Sequence, residues 1–521
     1  MKRKLGWFGL GFAGAELAAA NLPPLVCVPA AAFLALLAFW KRRRDARTPL
    51  LGALCGLAWF ALFTLIFVQP CRALAGQTVT CTAVVETDAE ASYSDSRLRG
   101  TLRLTEIDGK PARLRVQCSS FPGESAGERF EASFALSSLP DNRYRLSRNS
   151  KGVYLQAEYL GSYRGLAASK APRFALFRLR QRWSAVLRRW LPKRLDGMEA
   201  AMLLADKSHL EDAVQQAFRA AGVSHLLAVS GLHLALLCGL LGFGRRWRFY
   251  KPLILLRGAA ALFYLLLTGA PVSVLRAGLV LAVALAGKFL LQPVDLLTST
   301  GFAAVLMGLQ NAYAPCDIGF QLSFCAVLGV QAAAALTEAE RRAAAQGKSA
   351  ALRLVCRLAE PVQVAALASL ATLPVLVAHG MSTSLVGIVC NVLVVWMLQP
   401  ALQMGILLLI FSAVPFLLPL VNLTGLVLSL WLKAMLGIVE RCAALPFASV
   451  YLPQRYTLFV LAVLGALALY YWHGKGMRVY PIAALICTAA AVVMGIWMQR
   501  DVVEINLVGA SNNPCVVWKI F

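Results

Sequence analysis

The chain predicts a polytopic α-helical membrane protein of about 12–13 spans that carries a small exported all-β, OB-like domain. Three observations lead there. Of the 521 residues, 59% are hydrophobic and only 15% charged, with mean hydropathy +0.65, too apolar for a soluble globule of this length. Apolar runs of roughly 20 residues recur, which is the length a spanning helix needs. The runs stop between residues 70 and 222, and much of that gap alternates with the period of a β-strand.

Residues 1–70 read as an N-terminal membrane anchor of about three spans, 5–20, 23–40 and 49–69. Lys41, Arg42, Arg43, Arg44 and Arg47 separate the second from the third. The positive-inside rule keeps that cluster in the cytoplasm with Lys2, Arg3 and Lys4, so the third span delivers residue 72 to the outer face. The opening MKRK and its apolar run lead straight into KRRRDAR rather than to a small-residue cleavage site, so a retained anchor is expected instead of a cleaved leader.

Residues 71–170 contain TVTCTAVVE, SRLRGTLRLTEIDGK, ARLRVQCSS and GVYLQAEYL, divided by Asp108-Gly109, Pro122-Gly123 and Asn149-Ser150. About five short alternating runs suit a small antiparallel domain, a barrel of the OB type or a sandwich. On the outer face, Cys81 and Cys118 are candidates for a disulfide.

The connector, 171–222, holds RFALFRLRQRWSAVLRRWLPKR at 173–194, with eight basic residues and no acid. Aromatic and leucine side chains recur at helical spacing, so the segment reads as an amphipathic helix on the lipid surface. The same pattern suits a wall for nucleic acid, where Arg178, Arg182 and Arg189 would meet phosphates and Trp183 and Trp190 would stack on bases.

Apolar spans resume in 223–498: 223–242, 252–270, 274–290, 295–312, 318–336, 361–379, a long stretch over 384–440, 456–472 and 480–498. Arg245, Arg246, Arg248, Lys288, the loop EAERRAAAQGKSAALRL and HGKGMR mark cytoplasmic ends. Between His379 outside and His473 inside an odd number of crossings is required, yet four apolar stretches fit. A broken or re-entrant helix over 384–419, containing Asn391, Gln399 and Pro400, resolves the count. The tail, 499–521, then lies outside.

The net charge of +25 suits anionic partners, lipid headgroups or nucleic acid, although much of it sits in short loops where the positive-inside rule alone would put it. Thirteen cysteines form no CxxC pair and no cluster with histidine, so neither a metal site nor a cofactor is expected.

Polar residues within the apolar stretches are the candidates for function. His225, Ser230 and His233 lie in AGVSHLLAVSGLHLALL, and on a continuous helix Ser230 and His233 share a face. A hydrolase could use Ser230 as nucleophile and His233 as base, but AVSGL lacks the GxSxG turn and no orienting carboxylate is near. The alternative is close helix packing through Ser and Gly with His bonding across. Arg276 in TGAPVSVLRAG starts a span and can meet a phosphate of a ligand or snorkel to lipid. Asp317 and Gln321 in CDIGFQLSF, and Asp206 in a loop, complete the set with Asn391.

The ordered strings LLLADKSHL, AFRAAGVSHLLAVSGLH, FYLLLTGAPVSVLRAG, DIGFQLSFCAVLGV and LATLPVLVAHG closely resemble the ComEC family of competence proteins. The resemblance implies a channel passing single-stranded DNA across the bacterial cytoplasmic membrane in natural transformation, with a DNA receptor outside, an ATP-driven motor inside and a possible homo-oligomer. It places His225, Ser230, His233, Arg276, Asp317, Gln321 and Asn391 along the DNA path. Many members continue into a metallo-β-lactamase-like nuclease domain; only 521 − 473 = 48 residues follow His473, none of them His, and VVEINLVGASNNPCVVWKIF reads as a vestige of that domain. A non-enzymatic channel or a truncated, inactive remnant is therefore expected. Ala205 stands where the family favours Gly before Asp206.

Overall fold

A computed structural model describes residues 3–23, 26, 27, 29, 44–86, 90–91, 98–119, 121, 126–141, 144–169, 171–240, 251–346, 350–446, 448–450, 452, 503–508 and 515–520. They fall into two compact units. The first comprises Met1–Glu211, His225–Phe324 and Leu398–Leu432, and the second Asp212–Ser224, Cys325–Met397 and Lys433–Phe521.

In the first unit, α1 (Lys4–Asn21) and α2 (Arg44–Phe63, continued by a π turn over Thr64–Val68 and a last turn over Gln69–Arg72) approach through small residues. A Cβ on Gly52 or Gly56 of α2 would meet the carbonyls of Phe8 and Phe12, and one on Gly9 would meet the backbone of Gly301. Glycine lets helix backbones touch where apolar burial alone gives no drive to associate.

The β-rich segment folds as β1 (Thr78–Val85), β2 (Glu90–Ala91), β3 (Leu98–Ile107), β4 (Lys110–Cys118), β5 (Arg129–Ser138) and β6 (Val153–Leu166), with the short helix α3 (Arg145–Ser150) before β6. The long strands close on themselves: β1 pairs β5, β5 pairs β6, β6 pairs β4 in parallel, β4 pairs β3, and β3 returns to β1. Inward residues of each strand, among them Leu102, Val116, Phe130, Phe134 and Leu155, fill the interior. Cys81 and Cys118 also lie there, as thiols rather than the expected disulfide. Cys81 stands opposite Ile107 and Cys118 opposite Gly100 on the strand they flank. Seven strand residues separate those positions, roughly 23 Å, far beyond disulfide reach.

Asn311 fastens the barrel to the helices, its side-chain amide donating to the carbonyls of Asn149 (2.9 Å) and Ser150 (2.8 Å). Helix α4 (Pro172–Trp190) covers one side of the barrel: Phe174 packs on Val84 and Ala126, and Arg173 reaches Glu86 at 3.3 Å. Glu86 also pairs with Arg103 and, at 2.9 Å, Arg115. Then follow α5 (Leu195–Leu204), α6 (Asp212–Ala220), α7 (Gly231–Leu240), α8 (Lys251–Leu267), α9 (Val272–Phe289), α10 (Leu296–Gln310), α11 (Ile318–Gln346), α12 (Ala350–Ala378), α13 (Gly387–Ser412) and α14 (Leu418–Ala443).

Within the second unit, Gly329 of α11 approaches the Leu367 carbonyl of α12, and Thr337 Oγ1 donates to Gln363 Oε1 at 3.2 Å. Gly222 closes the turn after α6 at φ +72°, where a Cβ would strike Ser384. Strands β7 (Thr383–Ser384) and β8 (Ser449–Val450) pair, as do β9 (Val503–Val508) and β10 (Cys515–Ile520) in the tail.

Among the described residues six helices are long and apolar enough to cross a membrane: Arg47–Arg72, Val272–Phe289, Ile318–Glu338, Glu360–Ala378, Gly387–Ser412 and Pro415–Ala443. They fit a multi-pass membrane protein. The expected spans 23–40, 456–472 and 480–498, and the arginines at 245, 246 and 248, fall largely or wholly outside the described residues. Two expectations are corrected. The 223–242 stretch is not one helix: a 3-10 turn at Ser224–Leu226 is followed by irregular chain until α7 begins at Gly231. The re-entrant break over 384–419 is absent, because α13 runs unbroken through Pro400. In an apolar bundle a proline frees a carbonyl without water to compete for its neighbours, so the helix continues.

Candidate functional site

The break before α7 creates the site. Ser230 occupies the N-cap position, and its backbone N–H donates to His233 Nδ1 (3.2 Å), with Ser230 Oγ 3.0 Å from the same nitrogen. This is half of a capping box with His at the third helical position. Nδ1 is thereby the acceptor, and a neutral ring carries its proton on Nε2. His233 is fully buried, and Nε2 has no hydrogen-bond partner.

Facing this helix start is α9. It follows a tight turn in which Gly269 and Ala270 both take positive φ, and its Ser273 hydroxyl donates to the Val229 carbonyl at 3.0 Å. A Cβ on Gly231 would lie 2.9 Å from Ala277 Cβ and 3.7 Å from Arg276 Nη2. Arg276 is 8% exposed; Nη1 donates to the Ser323 carbonyl (2.6 Å), the guanidinium lies 5.6 Å from the Phe324 ring centre, and Nε has no partner. No carboxylate pairs with it among the described residues. A guanidinium and the positive end of a helix thus adjoin the apolar cluster of Val229, Leu234, Ala261, Tyr264 and Val274, an arrangement that favours an anion.

The site lies at the barrel end of the bundle. The starts of α9 and α11 join the end of α10 there, where Asn311 holds the barrel, and Arg180 of α4 reaches the Gly269 turn. Arg178, Arg182 and Arg189 are exposed on α4. Trp183 and Trp190 are half-buried: Trp183 stacks edge-on against Phe263 of α8, and Arg189 lies over Trp190. The helix therefore rests on protein with its tryptophans and presents its arginines.

His225 is exposed on the 3-10 turn. Asp317 caps α11, accepting from Phe320 N–H at 2.9 Å, while Gln321 donates back to the Pro315 carbonyl at 2.9 Å. Asn391, in the second unit, donates to the Gly387 carbonyl of its own helix (2.9 Å). Asp206 accepts from Ser184 Oγ (2.5 Å) and from Ser208 N–H (3.1 Å) and Oγ (2.6 Å). Burial alone would raise its pKa, but these bonds and the charge of Arg180 hold it below the usual value. Ala205 before it takes the left-handed conformation, φ +57°, the strain that a glycine relieves. Three buried carboxyls, Glu16 of α1 and Asp196 and Glu199 of α5, escaped the sequence reading. Their signal was an acid within an otherwise apolar run.

The competence protein family model matches residues 202–476, more than half of the chain and including the Ser230, His233 and Arg276 junction. The chain belongs to the competence protein family. ComE operon protein 3 of Bacillus subtilis (strain 168) is 32% identical over 234 residues, covering 43% of this chain and 28% of that protein's length. This competence protein therefore matches well under half of that relative. No solved structure matches it.

Proposed function

We propose that this competence protein is a channel for single-stranded DNA in the bacterial cytoplasmic membrane during natural transformation, with the barrel and the C-terminal tail outside. The observation that carries the reading is the anion-favouring junction of the α7 start with Arg276, at the end of the bundle where the barrel and the arginines of α4 also stand. A polyanion crosses hydrocarbon only along a path with cations, dipoles and stacking surfaces. A strand ring closed by one parallel pair supports the OB-like reading, and folds of that type bind oligonucleotides. Arg178, Arg182 and Arg189 would receive DNA or lipid headgroups, and His225, Ser230, His233, Arg276, Asp317 and Gln321 would line its route, with Asn391 a separate candidate in the second unit.

No GxxxxGK[ST] loop occurs in the chain, so the energy of inward movement would come from a cytoplasmic ATP-driven motor, with a receptor delivering DNA outside. A hydrolase reading is weaker, because Ser230 and His233 are accounted for as a helix cap. The decisive experiment is uptake of labelled DNA and recovery of transformants by a deletion strain of the native host complemented with this chain. Wild type and Ser230→Ala are expected to restore uptake, and Arg276→Glu to lose it by on the order of 100-fold at equal membrane abundance. Full uptake by Arg276→Glu would refute the path, and total loss with Ser230→Ala alone would favour the hydrolase.

A further inference from the structure

All ten residues of α5 are buried, and Glu199 is 0% exposed with neither carboxyl oxygen hydrogen-bonded. Its oxygen sits where α13 has no side chain: a Cβ on Gly405 would lie 2.2 Å from Glu199 Oε1. The neighbouring groups offer no compensation. Helix α13 has no charged residue, and the Tyr264 hydroxyl of α8 already donates to the Leu203 carbonyl (3.0 Å). On α4, Ser184 serves Asp206 and Arg188 is engaged by His209. In α5 itself the other acid is Asp196, also buried.

An ionised carboxylate without cation or donor is poorly tolerated in such a setting, whereas the protonated acid is neutral and gains an O–H for a backbone carbonyl. We propose that Glu199 is a proton-binding site whose occupancy seats α5 against α13. With the proton gone, the bare charge faces Gly405 across a dry helix contact, and the relief available is separation of the helices and entry of water. Tyr264 belongs to the apolar cluster that also includes Val229 and Val274. The seating of α5 is thus transmitted to the Ser230 and Arg276 junction. The inference goes beyond the DNA reading and does not depend on it.

Burial raises the Glu199 carboxyl to about 8. A raised folded-state value makes the seating complete in acid and lost as pH rises through 8. The test is hydrogen exchange, corrected for intrinsic rate, on the purified full-length protein in detergent, with infrared difference spectra under the same conditions. Peptides from 195–204 and 398–412 should exchange about tenfold faster at pH 9 than at pH 6.5 in wild type, and equally slowly at both in Glu199→Gln. The spectra are taken in a Glu16→Gln background, which removes the other buried carboxyl without partners among the described residues; a protonated-carboxyl band should be present there at pH 6.5, absent at pH 9, and absent throughout once Glu199→Gln is added. Flat wild-type exchange, or a pH response unchanged in Glu199→Gln, overturns the proposal. If Glu199→Gln does not fold, the loss or persistence of the band in the Glu16→Gln protein between the two pH values decides alone.

Discussion

The interior of the strand ring and the helical site treat buried polar groups in opposite ways. Inside the barrel the core is apolar side chains and two thiols, and the charged residues stay near the surface in pairs, as Glu86 does with three arginines. At the helical site His233 Nε2, Arg276 Nε and the Glu199 carboxyl are buried without partners. Native proteins leave few such atoms. Among the described residues the strands of the barrel hold none, whereas the helical site holds several.

The sharpest check of the barrel half is chemical. Burial, and then the charge of Asp108, push the Cys81 thiol up to about 12 from 9. At pH 8 its alkylation in the folded protein should be about 1,000-fold slower than in denaturant, read by peptide mass spectrometry. The sign for stability follows: the contribution is complete below pH 9 and is lost as pH rises through 12. Rapid labelling at pH 8 would mean an open barrel.

On the helical side, Gly231→Val would drive a branched side chain into Ala277 and should cost about 3 kcal/mol of local stability. Thermal unfolding of the full chain in detergent should register it, together with loss of DNA uptake. Glu86→Gln removes the one acid shared by three arginines. Their partial exposure reduces the effect to about 2 kcal/mol, visible as faster hydrogen exchange in β1, β3 and β4. Smallest, and opposite in sign, Ala205→Gly should stabilise the turn after α5 by about 1 kcal/mol. No gain would show that Ala205 sits there without strain.

What the sequence disclosed depended on the range of the interaction. The alternating runs of 78–163 marked the strands because a side-chain period of two is local. Barrel closure joins β1 to β3 and to β5, and only that register reveals why Cys81 and Cys118 are far apart. Ser230 and His233, three residues apart, were legible as neighbours. The chain break just before them was not, because residues 223–242 are apolar apart from two serines and two histidines and hydropathy is blind to backbone direction. Pro400 misled in the other direction, as a helix breaker judged by its behaviour in water. Glu199 became meaningful only once Gly405, 405 − 199 = 206 residues later, was seen against it.

The glycine contact between α1 and α10 sets a timetable for synthesis. Gly9 meets Gly301, so the first helix emerges from the ribosome 301 − 9 = 292 residues before its partner. At about 5–20 residues per second that is roughly 15–60 s in which α1 waits with its glycine face and Glu16 uncovered. Any factor that shelters a half-finished chain would find its longest task at this first helix.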